Sequence, residues 1–238
     1  MSAPITSPAL LLRSTDKGDD DRMVVLLTPA YGRVAALAKH ARGSRRRFGA
    51  ALQPFCLFEA SLRSREGGFF YLNSVTAMEF PLGAEPGLDL MTAAWMFLDV
   101  ADAFSTSGTA HPAFFELVLG GLRRLGIGAE GNYAVRLSVL WGSLELAGWA
   151  PDLDFCVACG SPGPWQDLSL DANRGGLLCP SCRSAGATVF PADVLTQWRA
   201  LAQGLPPGPC LPQAEAGLLR WIEYHCGQAL RSVSLSGL

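Results

Sequence analysis

Charge is scarce in this 238-residue sequence: 17% of the residues are charged against 49% hydrophobic. That balance excludes a disordered chain and predicts a substantial buried core, in one large domain or two to three small ones. Long uninterrupted apolar runs are missing too. The most apolar stretch, Leu88 to Phe104, is broken by Asp89, Asp99 and Asp102, which argues against a membrane span. Met1 to Leu12 lacks a basic n-region, so no signal peptide is indicated and a soluble protein is expected. The sequence has no P-loop, no HExxH, no G-x-S-x-G nucleophile elbow and no internal repeat, and so gives no positive sign of an enzyme.

One fingerprint argues the other way. Gly126-Ile127-Gly128-Ala129-Glu130-Gly131 matches G-x-G-x-x-G, and Asp152 lies near the distance expected of a ribose-binding acid. A dinucleotide site needs a strand immediately before those glycines. Phe114 to Leu125 precedes them, and its length and its Arg123-Arg124 ending favour a helix. A zinc-containing, dinucleotide-dependent oxidoreductase using Gly126 to Gly131 is therefore only the alternative reading.

What the sequence does have is a pair of Cys-x-x-Cys turns. Cys156 and Cys159 are answered by Cys179 and Cys182, with 19 residues between the pairs. Two thiolates three positions apart grip one ion from a tight turn, and a second turn completes a tetrahedron. Asp167 to Leu170 and Gly176 to Leu178 read as short strands joined at Asp171-Ala172-Asn173-Arg174-Gly175, a hairpin with one cysteine pair at each end. Four protein ligands leave no open position for catalysis, so the reading is one structural Zn2+. Iron also binds four thiolates, and the spacing does not separate the two. Cys56, Cys210 and Cys226 stand apart without framework spacing; the odd total of seven cysteines points to a reducing cytosol.

The formal net charge of −2 hides a split. Residues 1–80 hold eleven Lys/Arg against seven Asp/Glu, a net of +4; the remainder holds eight against fourteen, a net of −6. The N-terminal part is the one expected to meet a polyanion. It reads as five strands: Pro8 to Ser14, Met23 to Thr28, Arg33 to Lys39, Phe55 to Ser64 and Phe69 to Met78, the last two joined by a Gly67-Gly68 turn. Five strands in so short a stretch fit a small closed or nearly closed barrel. Between the third and fourth lies Lys39-His40-Ala41-Arg42-Gly43-Ser44-Arg45-Arg46-Arg47-Phe48, five cations in nine residues. Arg guanidinium groups contact phosphate bidentately and stack on bases, so the loop is a candidate nucleic-acid surface.

A Pro/Gly linker, Pro81 to Pro86, separates this part from a helical one. Helices are expected over Asp89–Phe104, from Pro112 to Gly126, from a capping Asn132 to Ala147, from Pro191 to Leu201, and over Glu215–Leu230. The expected domains are therefore 1–82 and 83–238, with the cysteine module inserted at 151–190.

Three blocks together resemble the RecO family of recombination-mediator DNA repair proteins, in its zinc-bearing branch. They are Gly18 to Thr28 through Tyr31-Gly32-Arg33; Ala38 to Arg42 with Arg47-Phe48-Gly49 and Leu52 to Phe55; and Leu153 to Cys156 with Cys159-Gly160, Gly175 to Cys179 and Cys182. The resemblance implies an α+β multidomain chain: an N-terminal five-stranded OB-fold barrel, then a helical domain with an inserted four-cysteine zinc hairpin. It implies binding to single- and double-stranded DNA, annealing of complementary strands and help in loading a recombinase. Partners would be RecR, the C-terminal tail of single-stranded DNA-binding protein and, indirectly, RecA, in a bacterial, cytoplasmic and nucleoid-associated setting. The matching blocks assign DNA contact to Arg33, Lys39 and Arg42. Arg45, Arg46 and Arg47 extend the patch, although family members often have mixed Lys, Pro and Ser there. For an acidic partner tail, the helical part offers few cations: Arg123, Arg124 and Arg136 are the candidates. An RNA- or transcription-related adaptor, its zinc hairpin touching nucleic acid, is a further alternative.

Overall fold

The computed structural model describes residues 4–49, 51–64 and 69–231. Its chain divides into two compact units, Met1–Ala129 and Glu130–Leu238.

The first unit opens with five strands: β1 (Ile5–Lys17), β2 (Asp21–Thr28), β3 (Gly32–Ala38), β4 (Leu57–Ser64) and β5 (Phe70–Glu79). They close into a barrel in the order β1-β2-β3-β5-β4. All neighbours are antiparallel except β3 and β5, which run parallel and share only two register pairs, Ala36–Phe70 and Leu37–Tyr71. This is the five-stranded OB-type barrel expected. Alternation explains it, since Val24 and Leu26, Val34, Ala36 and Ala38, and Phe58, Ala60 and Leu62 all point into one core. Cys56 lies in that core as a fully buried thiol. Burial pushes its pKa up to about 11.

Strand boundaries move by one to three residues from expectation, and two of the shifts have a visible cause. β1 runs past Ser14 because Thr15, Asp16 and Lys17 pair with Met23, Arg22 and Asp21. β4 starts at Leu57, because Phe55 has a positive φ of 64° and breaks the extended run. The expected Gly67-Gly68 turn lies outside the described residues. Close approach requires glycine at position 32: a Cβ on Gly32 would lie 2.2 Å from the Thr109 carbonyl oxygen.

Two helices complete this unit, α1 (Leu88–Phe104) and α2 (Pro112–Ile127). His111 caps α2, its Nδ1 accepting from the Phe114 N–H at 3.3 Å, and Gly128 ends it in the left-handed conformation. Asp102 of α1 is buried and accepts from Arg13 of β1 and from Arg33 of β3, the latter at 2.8 Å.

The second unit sets a small sheet among three helices. α3 (Asn132–Ala147) is followed by β6 (Asp152–Cys156), β7 (Asp167–Asp171), β8 (Gly176–Leu178) and β9 (Val189–Pro191), then α4 (Ala192–Ala202) and α5 (Pro212–Cys226). The sheet order is β6-β8-β7-β9. The β7–β8 hairpin is the one predicted; β6 and β9 widen it. α3 starts after Gly131, so Asn132 is its first helical residue and not its cap. α5 stops at Cys226 because Gly227 turns left-handed at φ +65°, short of the expected Leu230. The Leu230 N–H then turns back to Glu223 Oε1 at 2.9 Å.

Candidate nucleic-acid interface and metal centre

The sequence suggests a loose basic loop after β3. The structure gives it order. Ser44, Phe48 and Leu52 each donate a backbone N–H four residues back, to His40, Ser44 and Phe48, and so wind the segment into helical turns. Ala41, Phe48, Ala51 and Leu52 face the barrel core, which leaves the cations outside. His40 opens the segment with a positive φ of 53°. Its N–H is held by Asp21 Oδ1 at 2.8 Å. The acidic turn between β1 and β2 therefore does more than solvate: the Asp20 carbonyl accepts the Arg42 N–H, and the Asp19 carbonyl accepts from the Arg42 guanidinium.

The expected contact residues fall into three situations. Arg33 is paired with buried Asp102, and Arg42 has a carboxylate oxygen of Asp16 at 3.8 Å, so both charges are partly compensated. Arg45 and Arg46 are exposed and form no ion pair among the described residues. Lys39 and Arg47 line one cleft of about 180 Å3 with Leu37, Tyr71, Leu72 and Asn73. Arg47 is anchored there: its Nη2 donates to the Lys39 carbonyl at 2.6 Å and its Nε to Ser44 Oγ at 3.2 Å. Its guanidinium also lies 5.0 Å from the Phe48 ring centroid, and Lys39 Nζ lies 5.3 Å from that of Tyr71. Tyr71 and Asn73 escape sequence reading because a neutral residue on an alternating strand carries no signal of its own.

The candidate partner cations are already engaged. Arg123 of α2 makes a forked contact with Glu79 of β5, Nη2 to Oε2 at 2.6 Å, and that hydrogen bond holds the Glu79 carboxyl below its usual pKa. Arg136 of α3 donates to Glu215 of α5 at 2.8 Å, where the carboxylate is buried. Arg124 takes part in an interaction of its own. Arg123 and Arg124 fall in the first compact unit and Arg136 in the second.

The four paired cysteines converge. Their sulfurs all lie within 4.8 Å of one another, and Cys159 Sγ is 3.9 Å from Cys179 Sγ. A tetrahedron with metal–sulfur bonds of about 2.3 Å has sulfur–sulfur edges of about 3.8 Å, so the set fits one ion. Local folding places each ligand. Cys156 ends β6, which runs parallel to β8, and Cys179 follows β8 directly. Gly160 donates its N–H to the Cys156 carbonyl at 2.8 Å, and Cys182 to that of Cys179 at 3.0 Å, closing the two turns. Around them pack Leu178, Val157 and Trp165.

Electrostatics also suit a cation. Burial pushes the Cys156 thiol up, but backbone donors at Cys179, Cys159 and Ala158 outweigh it and draw the pKa down to about 6. Hydrogen bonding with Cys159 and Cys179 pushes Cys182 up to about 12. Four thiolates in so small a volume repel one another, and a bound cation removes that repulsion. These cysteines can hold a metal ion.

The dinucleotide fingerprint has none of the geometry it needs. Gly126 belongs to the last turn of α2, where a Cβ would lie 1.8 Å from the Pro81 carbonyl oxygen, and Gly128 is the helix cap. These glycines serve packing and helix termination.

Comparison with known proteins then decides the relationship. A family model described as Recombination protein O N terminal matches residues 1–80, and one described as Recombination protein O C terminal matches 86–234. The chain belongs to the RecO family. It is 35% identical over 234 residues to a protein of Anaeromyxobacter sp. (strain K) named DNA repair protein RecO, covering 93% of this chain and 91% of the relative. RecO relatives so named in Bifidobacterium animalis subsp. lactis (strain AD011) and Myxococcus xanthus (strain DK1622) share 33% and 31% identity. They match 95% and 94% of this chain, and 96% and 93% of their own lengths. No helix among the described residues is long and apolar enough to cross a membrane.

Proposed function

We propose that this protein is a non-enzymatic DNA repair and recombination mediator. It binds single- and double-stranded DNA, anneals complementary strands and helps load recombinase onto DNA coated by single-stranded DNA-binding protein. One observation carries the reading: a closed OB-type barrel presents Lys39, Arg45, Arg46 and Arg47 together outside its core. Annealing requires neutralised backbones without firm base readout, so that strands held close still search for register. A basic OB surface supplies that condition. Arg42 adds a partly compensated charge. Arg33, paired with Asp102, is the weakest member of the set.

In this reading residues 1–82 form the nucleic-acid-binding domain and 83–238 the helical domain, with the metal module at 151–190. The metal is one structural Zn2+ on Cys156, Cys159, Cys179 and Cys182, since four closed ligands leave no site for substrate. RecR and the tail of single-stranded DNA-binding protein are the direct partners and RecA an indirect one, in the bacterial cytoplasm at the nucleoid. Arg123, Arg124 and Arg136 are the cations offered to an acidic tail, in competition with their present partners.

Binding of labelled single- and double-stranded DNA, followed by annealing of two complementary strands without ATP, tests the proposal. RNA that competes better than single-stranded DNA would favour an RNA-related adaptor. Absence of both binding and annealing would end the reading.

A further inference from the structure

The seam between β3 and β5 is where the barrel is least zipped, with two parallel pairs against seven between β2 and β3. The cleft lined by Lys39, Arg47, Tyr71 and Asn73 opens at this seam. Three features mark it as built. Among the described residues that line it there is no carboxylate, although two are cations. Arg47 is fixed from four directions: by the Lys39 carbonyl, by Ser44 Oγ, by the Phe48 ring, and by its own carbonyl, which accepts the Val75 N–H at 2.9 Å. Last, β5 carries one extra residue at this point. Leu72 pairs with Leu62 and Ser74 with Ser61, so Asn73 between them is a bulge. A bulge re-aims a side chain, and bulges gather beside functional sites.

We infer that this cleft is a phosphodiester subsite, in which the Arg47 guanidinium, the Lys39 ammonium and the Asn73 side-chain amide together hold one backbone phosphate of a DNA strand crossing from β3 to β5. Its volume of about 180 Å3 is below the roughly 300–1,000 Å3 of ordinary small-molecule sites. It therefore suits one linkage of a passing chain and not a whole free ligand. Tyr71 forms the wall and keeps the ammonium in place through its ring face. Exposed Arg45 and Arg46 act differently, as diffuse charge around a positioned contact. This inference rests on the DNA-binding reading and divides its residues into two kinds.

The test is one that charge alone does not answer. Arg47→Lys keeps the charge but not the fork that meets the Lys39 carbonyl and Ser44. It should weaken binding of a labelled oligothymidylate about tenfold, with the salt slope nearly unchanged. Arg46→Lys should bind like wild type. Asn73→Ala, neutral on both sides, should lose about three- to tenfold and remain folded by circular dichroism. A neutral methylphosphonate linkage placed singly along the oligothymidylate should cost wild type more than it costs Arg47→Lys, which keeps the charge and loses the fork. Wild-type affinity in both Arg47→Lys and Asn73→Ala would overturn the subsite while leaving the charge-based reading intact. No binding by the wild-type protein would instead overturn the DNA reading on which the subsite depends.

Discussion

Arg33 Nε donates to Asp102 Oδ1 at 2.8 Å, which ties strand β3 to helix α1 through a carboxylate only 3% exposed. Arg13 of β1 shares the same carboxylate. Removing one partner of such a group leaves the remaining charge poorly solvated. Because both guanidinium groups keep some water, Asp102→Asn should cost about 2 kcal/mol, below the full value for a buried pair. Urea unfolding measures it; an unchanged midpoint would mean that the carboxylate anchors nothing.

The cysteine cluster should hold about one equivalent of metal by plasma emission spectroscopy, and that metal should be zinc. Cys159→Ser should lose it and unfold at a lower temperature. Cys56→Ser and Cys210→Ser should keep full occupancy. If either of these two loses the ion, the ligand set is wrong.

Loss of Arg45 and Arg46 should act through counterion release. The double alanine variant should flatten the slope of log affinity against log salt by about 0.7 for each phosphate no longer neutralised, equally for unrelated single-stranded sequences. Metal content should not change. An unaltered slope would return these two arginines to plain solvation.

Arg123 and Arg136 should separate in stability. The Arg123–Glu79 pair is 42% and 36% exposed at its side chains, so Arg123→Ala should cost only about 0.5 kcal/mol. Glu215 is 8% exposed, so Arg136→Ala should cost about 2 kcal/mol. Equal thermal shifts would show that burial does not set the difference. An acidic-tail peptide titrated against these variants is informative only beside this control.

Alkaline pH should weaken the fold through Cys56. Its thiol is raised from 9.0 to about 11 by burial, so the folded state retains a proton that the unfolded chain releases. The stabilisation is complete below about pH 9 and is lost as pH rises through 11, roughly 3 kcal/mol in all. Cys56→Ala should remove that part of the slope. A slope identical to wild type would place the titration elsewhere.

The strands of the barrel were legible because one face is wet: Glu59, Ser61 and Arg63 alternate with buried Phe58, Ala60 and Leu62. Helix ends were legible at Gly148, whose positive φ is a local property. Elements that depend on a distant partner were not. β9 has three residues and exists because Phe190 pairs with Leu168. Ordering of the basic segment depends on Phe48 and Leu52 finding the barrel core, and the engagement of Arg33 depends on a carboxylate 69 positions away. The four ligands could be named from spacing alone, since each Cys-x-x-Cys turn is local. Asn73 could not, because a bulge is defined only by the register of its neighbour.

The short β3–β5 seam has a thermodynamic consequence. A closed barrel opens where the fewest ladder bonds must break, and here that is between Ala36–Leu37 and Phe70–Tyr71. Those amide hydrogens of these strands that bond across the seam should be the first in the barrel to exchange with solvent. Whatever lies across both strands staples this weakest join, and by reciprocity a barrel already held shut grips it more tightly. Local breathing and ligand affinity at this edge are then two readings of a single equilibrium.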